Sequence, residues 1–264
     1  MFCKTIAVCI VFLSSSCKSN SLQQEIKVID INKDIKNTVS LEENPYADVS
    51  EIPIPEGFAR TGDNSLSFPN WLSKLSLKKN KTVYLFDGSM KNNQSAQFAV
   101  FNIPVGKKDL QQCADAVMRL RAAYLFDQKK FEQIKFTDNE GKNYNFTAPY
   151  NKEHFETYLQ TVFGMCGTAS LSKQLNKIQL KDIEAGDVFI RGGFPGHAVI
   201  VIEVVKSTNG NKKFMLAQSY MPAQDIHILL NPADNDTSPW YDVTDEKFII
   251  TPEYTFSREE LKRW

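Results

Sequence analysis

The run from Ala185 to Val205 constrains this chain more than any other stretch. Val188-Phe189-Ile190 reads as a strand, Gly192-Gly193-Phe194-Pro195-Gly196 as a turn, and a second strand opens at His197. Five consecutive apolar residues come after that histidine, Ala198 to Ile202, so the second strand is expected to be buried on both faces. An imidazole at the junction of a rigid sheet and a loop is well placed to act as a base.

A partner for it lies upstream. Leu110, Cys113/Ala114, Val117, Leu120 and Tyr124 recur at helical spacing. Asp109 is the expected N-cap, and Gln112 three residues later completes a capping box. Cys113 then falls in the first helical turn, where unpaired N–H groups and the positive end of the macrodipole favour thiolate over thiol.

These two pieces resemble the papain-like cysteine hydrolases of the NlpC and CHAP type. The matching parts are Leu180 to Ile190, with its Gly186-Asp187-hydrophobic element, and His197-Ala-Val-Ile-Val201. The chain also resembles a bacterial lipoprotein family, domain of unknown function 4846, through Trp71-Leu72, Asp109 to Arg121, Gly193-Phe-Pro-Gly-His197 and Ala217 to Gln224. The hydrolase resemblance implies an α+β fold: a papain-like (NlpC/CHAP-type) antiparallel sheet with the Cys-bearing helix packed against it, enlarged by insertions. It implies Cys113 as nucleophile, His197 as base and a polar third residue on the strand returning after the Asn209-Gly210 turn.

Gln218 is the best positional match for that third residue, with Gln224 as runner-up. A hairpin centred on Asn209-Gly210 puts residue 222 opposite His197, so Gln218 needs a bulge or a skewed approach to reach the imidazole. In this scheme Gln218 fixes the imidazole tautomer. The Cys113 amide and a side-chain amide of Gln112 or Gln111 are candidate oxyanion donors, and Tyr220 lines the substrate cleft. Cys166 is the rival nucleophile, in a Cys-Gly-Thr context expected to be an exposed loop without a helix N-terminus. No cofactor signature is present. His154, His197 and His227 lack metal-ligand spacing, and the Gly-rich turn lacks the Lys-Ser/Thr of a phosphate loop.

The N-terminus carries Lys4, an apolar run from Thr5 to Leu13 and Ser14-Ser15-Ser16-Cys17. This resembles a lipoprotein signal over residues 1–17, with Cys17 acylated. The run is too short to cross a bilayer, which takes about 20 apolar residues. Residues 18–64, polar and then Pro-spaced, are expected to form a tether, and 65–264 a single globular α+β domain. The expected place is the cell envelope, membrane-anchored through the lipid at Cys17. The hydrolase resemblance, together with that location, implies a peptidoglycan peptide or other small peptide as partner. The 31 basic residues balance 31 acidic ones, which gives no electrostatic footprint for nucleic acid.

Two thiols, Cys113 and Cys166, remain beyond the signal. In an oxidising compartment the plainest use of two thiols is a disulfide. The alternative to a hydrolase is therefore a non-catalytic envelope binding module on the same fold, with Cys113 buried or bonded to Cys166.

Overall fold

The apolar strand after His197 becomes the spine of the molecule. In the computed structural model, which describes residues 43–61 and 66–264, β7 (His197–Ser207) lies at the middle of a nine-stranded, antiparallel sheet. Its path is β2 (Gln97–Val100), β9 (His227–Leu229), β8 (Lys212–Gln218), β7, β6 (Val188–Arg191), β13 (Leu261–Arg263) and β5 (Asn176–Lys177). β1 (Phe58–Arg60) also pairs with β7, and β10 (Tyr241–Asp242) with β8.

Both faces of β7 are buried, as its unbroken apolar run requires. One face meets α1 (Phe68–Ser73), α2 (Cys113–Asp127), α3 (Lys152–Met165) and α4 (Thr168–Gln174), and its cluster includes Leu72, Val117, Leu159, Leu171 and Ile200. The other face holds Phe189, Val199, Val201, Phe214 and Phe256 under a hairpin of β11 (Phe248–Ile250) and β12 (Thr255–Ser257). The chain is thus a mixed α/β structure in three layers: helices, sheet, hairpin. A second small hairpin, β3 (Lys135–Thr137) with β4 (Asn143–Asn145), turns on Asp138, whose carboxylate accepts the Glu140 and Lys142 amides.

Gly186 precedes β6 with φ +97, and a Cβ there would lie 2.7 Å from the Phe68 ring. Asp187 beside it accepts a two-pronged ion pair from Arg263 at 2.7 and 2.9 Å. That carboxylate therefore ties β6 to the C-terminal strand, a structural part.

One expectation is corrected. Residues 43–61, assigned to the tether, pack onto the domain: Val49 and Ile52 are buried, and the Trp240 indole donates to Pro53 O at 2.9 Å. Their apolar side chains and the pairing of Phe58 with Ser207 bring the globular boundary forward. The signal, Cys17 and the earlier part of the tether lie outside the described residues. Helix α1 is capped by Ser67, whose hydroxyl accepts the Asn70 amide.

No strand forms over residues 83–88, although their apolar run suits one. The Gln94 side chain takes both Val83 backbone groups, and Asp225 accepts the Tyr84 amide, so side chains satisfy what a ladder would have. β2 pairs with β9. Ser257 and Glu260 form a capping box, and after one turn, Arg258–Glu260, the chain continues as β13. Lys262 pairs there with both Val188 and Lys177, so the sheet claims these residues.

Candidate functional site

Helix α2 starts at the thiol-bearing residue itself. Gln112, not Asp109, is the N-cap, and the Asp115 carboxylate accepts the Gln112 amide at 2.9 Å. Asp109 stays in the loop, accepting from the Gln112 side chain at 3.1 Å and the Ala223 amide at 2.7 Å. The box has moved forward, so Cys113 occupies the first helical position. The nearby backbone N–H groups of Ala198, Ala114 and Cys113 itself each favour the thiolate. Burial dominates nonetheless: together with the nearby Asp115 carboxyl it pushes the thiol up to about 11.

His197 meets the same end of β7. A bulge between Val201 and Glu203 leaves Ile202 as an extra residue on that strand. Beyond the bulge Ile200 faces Ala217, and continuing this register puts Gln218 beside Val199 and Tyr220 beside His197. The extra residue flips the parity, so Gln218 shares a face with His197; without it Gln218 would project into the helix layer. Of the bulge and the skewed approach, the bulge is present.

The hydrogen bonds then determine orientation. Glu253 Oε2, in the turn between β11 and β12, accepts from Lys91 Nζ at 2.5 Å and from Gln218 Nε2 at 2.8 Å, while its Oε1 accepts from Asn93 at 3.0 Å. A carboxylate only accepts, so the Gln218 amide nitrogen must face Glu253. Gln218 Oε1 is thereby left for His197 Nε2 at 2.8 Å, and that nitrogen must carry the proton. The remaining nitrogen, Nδ1, holds the lone pair of a base.

His227 completes the set. Its Nδ1 donates to the Asp225 carbonyl at 2.9 Å, and its Nε2 accepts the second Gln218 N–H at 3.4 Å. Every polar atom of Gln218 is used. Burial holds both imidazoles down to about 4, so both are neutral near pH 7. The His197 ring is walled by Tyr220, Tyr254 and Phe256, with centroids 4.7, 4.9 and 5.8 Å away.

Cys113 and His197 both adjoin the start of β7. The sulfur comes from the helix layer and meets the amide of Ala198, the next residue after His197. The imidazole faces the hairpin layer with Phe256, and no hydrogen bond joins it to the thiol. Tyr220 links the two, in ring contact with His197 and within electrostatic reach of Cys113, whose charge helps to raise the phenol above its usual pKa after burial and Glu253. Cys113 is 7 % exposed and His197 2 %.

The remaining candidates divide. Gln111 is buried with both side-chain polar atoms unpartnered, while its carbonyl accepts from Ser219 at 2.8 Å. Gln112 is occupied with Asp109. Gln224 is buried and does not touch His197. Cys166 is not an exposed loop residue: it caps the C-terminus of α3, is buried, and adjoins the short helix α4. Both cysteines are free thiols, with no disulfide between them.

Sequence reasoning missed Lys91, Asn93, His227 and Glu253. His227 was visible only as one of three histidines without metal spacing. For Glu253 no local signal exists, since a hairpin from the C-terminal tail delivers it.

The family comparison matches this architecture to one group. Residues 49–150 and 145–263 both match the model described as Domain of unknown function (4846), and the chain belongs to that family. The two stretches build one sheet, since β1 and β2 from the first pair with β7 and β9 from the second. No curated protein and no solved structure matches the chain.

Proposed function

We propose that this domain is a thiol-dependent amide hydrolase of the papain-like, NlpC/CHAP type, with Cys113 as nucleophile and His197 as base. The observation that carries the reading is the oriented series Glu253–Gln218–His197, which leaves Nδ1 unprotonated at the strand end where the Ala198 amide favours the Cys113 thiolate. A buried pair that is neutral at rest suits a base that takes the thiol proton as attack occurs, in place of a standing ion pair.

The sulfur adds to the amide carbonyl carbon while its proton passes to His197 Nδ1. The tetrahedral oxyanion collapses, His197 returns that proton to the leaving amine, and a thioester remains on Cys113. Water then attacks the thioester with its proton taken by His197, and the proton goes back to sulfur as the acid leaves. The Cys113 amide and the unpartnered Gln111 amide are the oxyanion donors of choice. Substrate has to draw Sγ and Nδ1 into hydrogen-bond reach, a tightening common between resting and loaded sites.

Peptidoglycan peptide, or a related small peptide, is the proposed substrate, and the envelope the proposed location, with the lipid at Cys17 as anchor. Both rest on the resemblance and the N-terminal sequence. Incubation with purified muropeptides, read by mass spectrometry, tests the reading. It predicts a new free amine and carboxylate with the native chain and none with Cys113→Ala; intact peptides with both would contradict it.

One observation favours a second reading, a non-catalytic module binding cell-wall fragments or a partner lipoprotein. Cys113 and His197 are nearly closed to solvent. That reading predicts muropeptide binding that is unchanged by Cys113→Ala and produces no cleavage.

A further inference from the structure

Two arginines of α2, two residues apart, are treated differently. Arg119 makes a two-pronged pair with Glu156 at 3.3 and 2.8 Å. Arg121 has no carboxylate in ion-pair distance and no hydrogen-bond acceptor among the described residues. Its guanidinium lies against three rings, with Cζ 5.2 Å from the Phe68 centroid, 5.6 Å from Tyr124 and 5.5 Å from Trp264. Such walls hold the planar group rigid through its faces and leave its N–H edge unused. Burial lowers its pKa from the usual guanidinium value, and only the Tyr124 charge opposes this.

Arg121 lines a cavity of about 340 Å³. Lys135 adds a second cation to the lining, no acidic residue lines it, and Leu125, Phe136 and Trp264 supply apolar wall. The Trp264 indole N–H is buried without an acceptor. A desolvated cation with no counter-charge is costly unless something anionic visits it. The volume is at the small end for ligand pockets.

We propose that this cavity binds a small organic carboxylate, its two oxygens on the Arg121 fork and its apolar body on Phe136 and Leu125. One planar fork matches a single carboxylate. The cavity is two turns along α2 from Cys113, about 12 Å along the axis, and is separate from the thiol site. The proposal does not depend on Cys113 chemistry, so the same titration holds for Cys113→Ala.

The test monitors the three tryptophan indole N–H resonances of the ¹⁵N-labelled full chain, with Trp264→Phe as assignment. The probes are N-acetylphenylalanine, its neutral amide N-acetylphenylalaninamide, and inorganic phosphate. The expected result is a saturable shift of the Trp264 signal with the acid and none with the amide at equal concentration. Affinity should fall at least tenfold in Arg121→Met, which keeps the aliphatic stem, and by less in Arg121→Lys, which keeps charge without the fork. Equal binding of acid and amide, or an unchanged affinity in both variants, would overturn the proposal. So would phosphate binding as tightly as the acid, which would mark a generic anion site. Should Arg121→Met lose its dispersed spectrum, Arg121→Lys decides alone: full affinity there refutes the fork.

Discussion

Cys113 and Cys166 are nearly matched in exposure, 7 % and 6 %, and burial pushes both thiols up to about 11. Their surroundings differ. Cys113 opens a helix, and the amide of Ala198, the residue after a histidine of fixed tautomer, favours its thiolate. Cys166 closes a helix, its amide bonded to Val162 O at 2.8 Å; the Asp138 and Asp115 charges work against its thiolate and only the Ser170 hydroxyl favours it. Burial therefore says nothing about which thiol reacts. On the proposed reading, neighbours that stabilise the anion and a base to receive the proton make the difference.

The comparison can be broken most forcefully at the base. His197→Ala should lower thiol-dependent hydrolysis about 10³-fold, within the range for a positioned base, and leave Cys166 chemistry untouched. Loss of hydrolysis in Cys166→Ala as well, with the fold intact, would erase the distinction between the thiols.

Acid should act next in size. His197 and His227 have folded pKa values of about 4, below the unfolded value near 6.5, so between these the unfolded chain binds more protons. Their contribution is present in full above pH 6.5 and is lost as pH falls towards 4, by up to about 3 kcal/mol per imidazole. Urea midpoints across this window should fall for the native chain and fall less for His197→Gln. A slope unaltered by that substitution would show that His197 is not the buried neutral group described.

Cys166→Ser places a hydroxyl among Leu171 and its apolar neighbours and should cost about 2 kcal/mol in urea denaturation. Cys113→Ser, with backbone N–H groups around the new oxygen, should cost less. The smallest effect belongs to Glu253→Gln, a positioning change. With an amide there the Gln218 flip is no longer dictated, and hydrolysis should drop about tenfold, 1.4 kcal/mol, with KM little moved.

What could be read in the sequence was local. The strand after His197, the returning strand with Gln218 and the helix carrying Cys113 all announced themselves by apolar spacing and turn residues. The Ile202 bulge did not, because a strand buried on both faces shows no alternation from which a parity change could be seen. Glu253 and Lys91 enter through long-range contacts that no local pattern encodes. The Ser257–Glu260 box forms the cap its residues specify but opens no α-helix: a cap sets one turn only, and pairing with β6 draws Leu261–Arg263 into the sheet.

The central claim is that His197 Nδ1 serves as the base for Cys113. Its most direct test is the rate of iodoacetamide alkylation of each cysteine from pH 4 to pH 10, read by peptide mass spectrometry in the native chain, Cys166→Ser and His197→Ala. The account predicts that Cys113 is modified faster than Cys166 near pH 7 and that His197→Ala removes this advantage. Two thiols equally inert until the chain unfolds, with no response to His197→Ala, would contradict it.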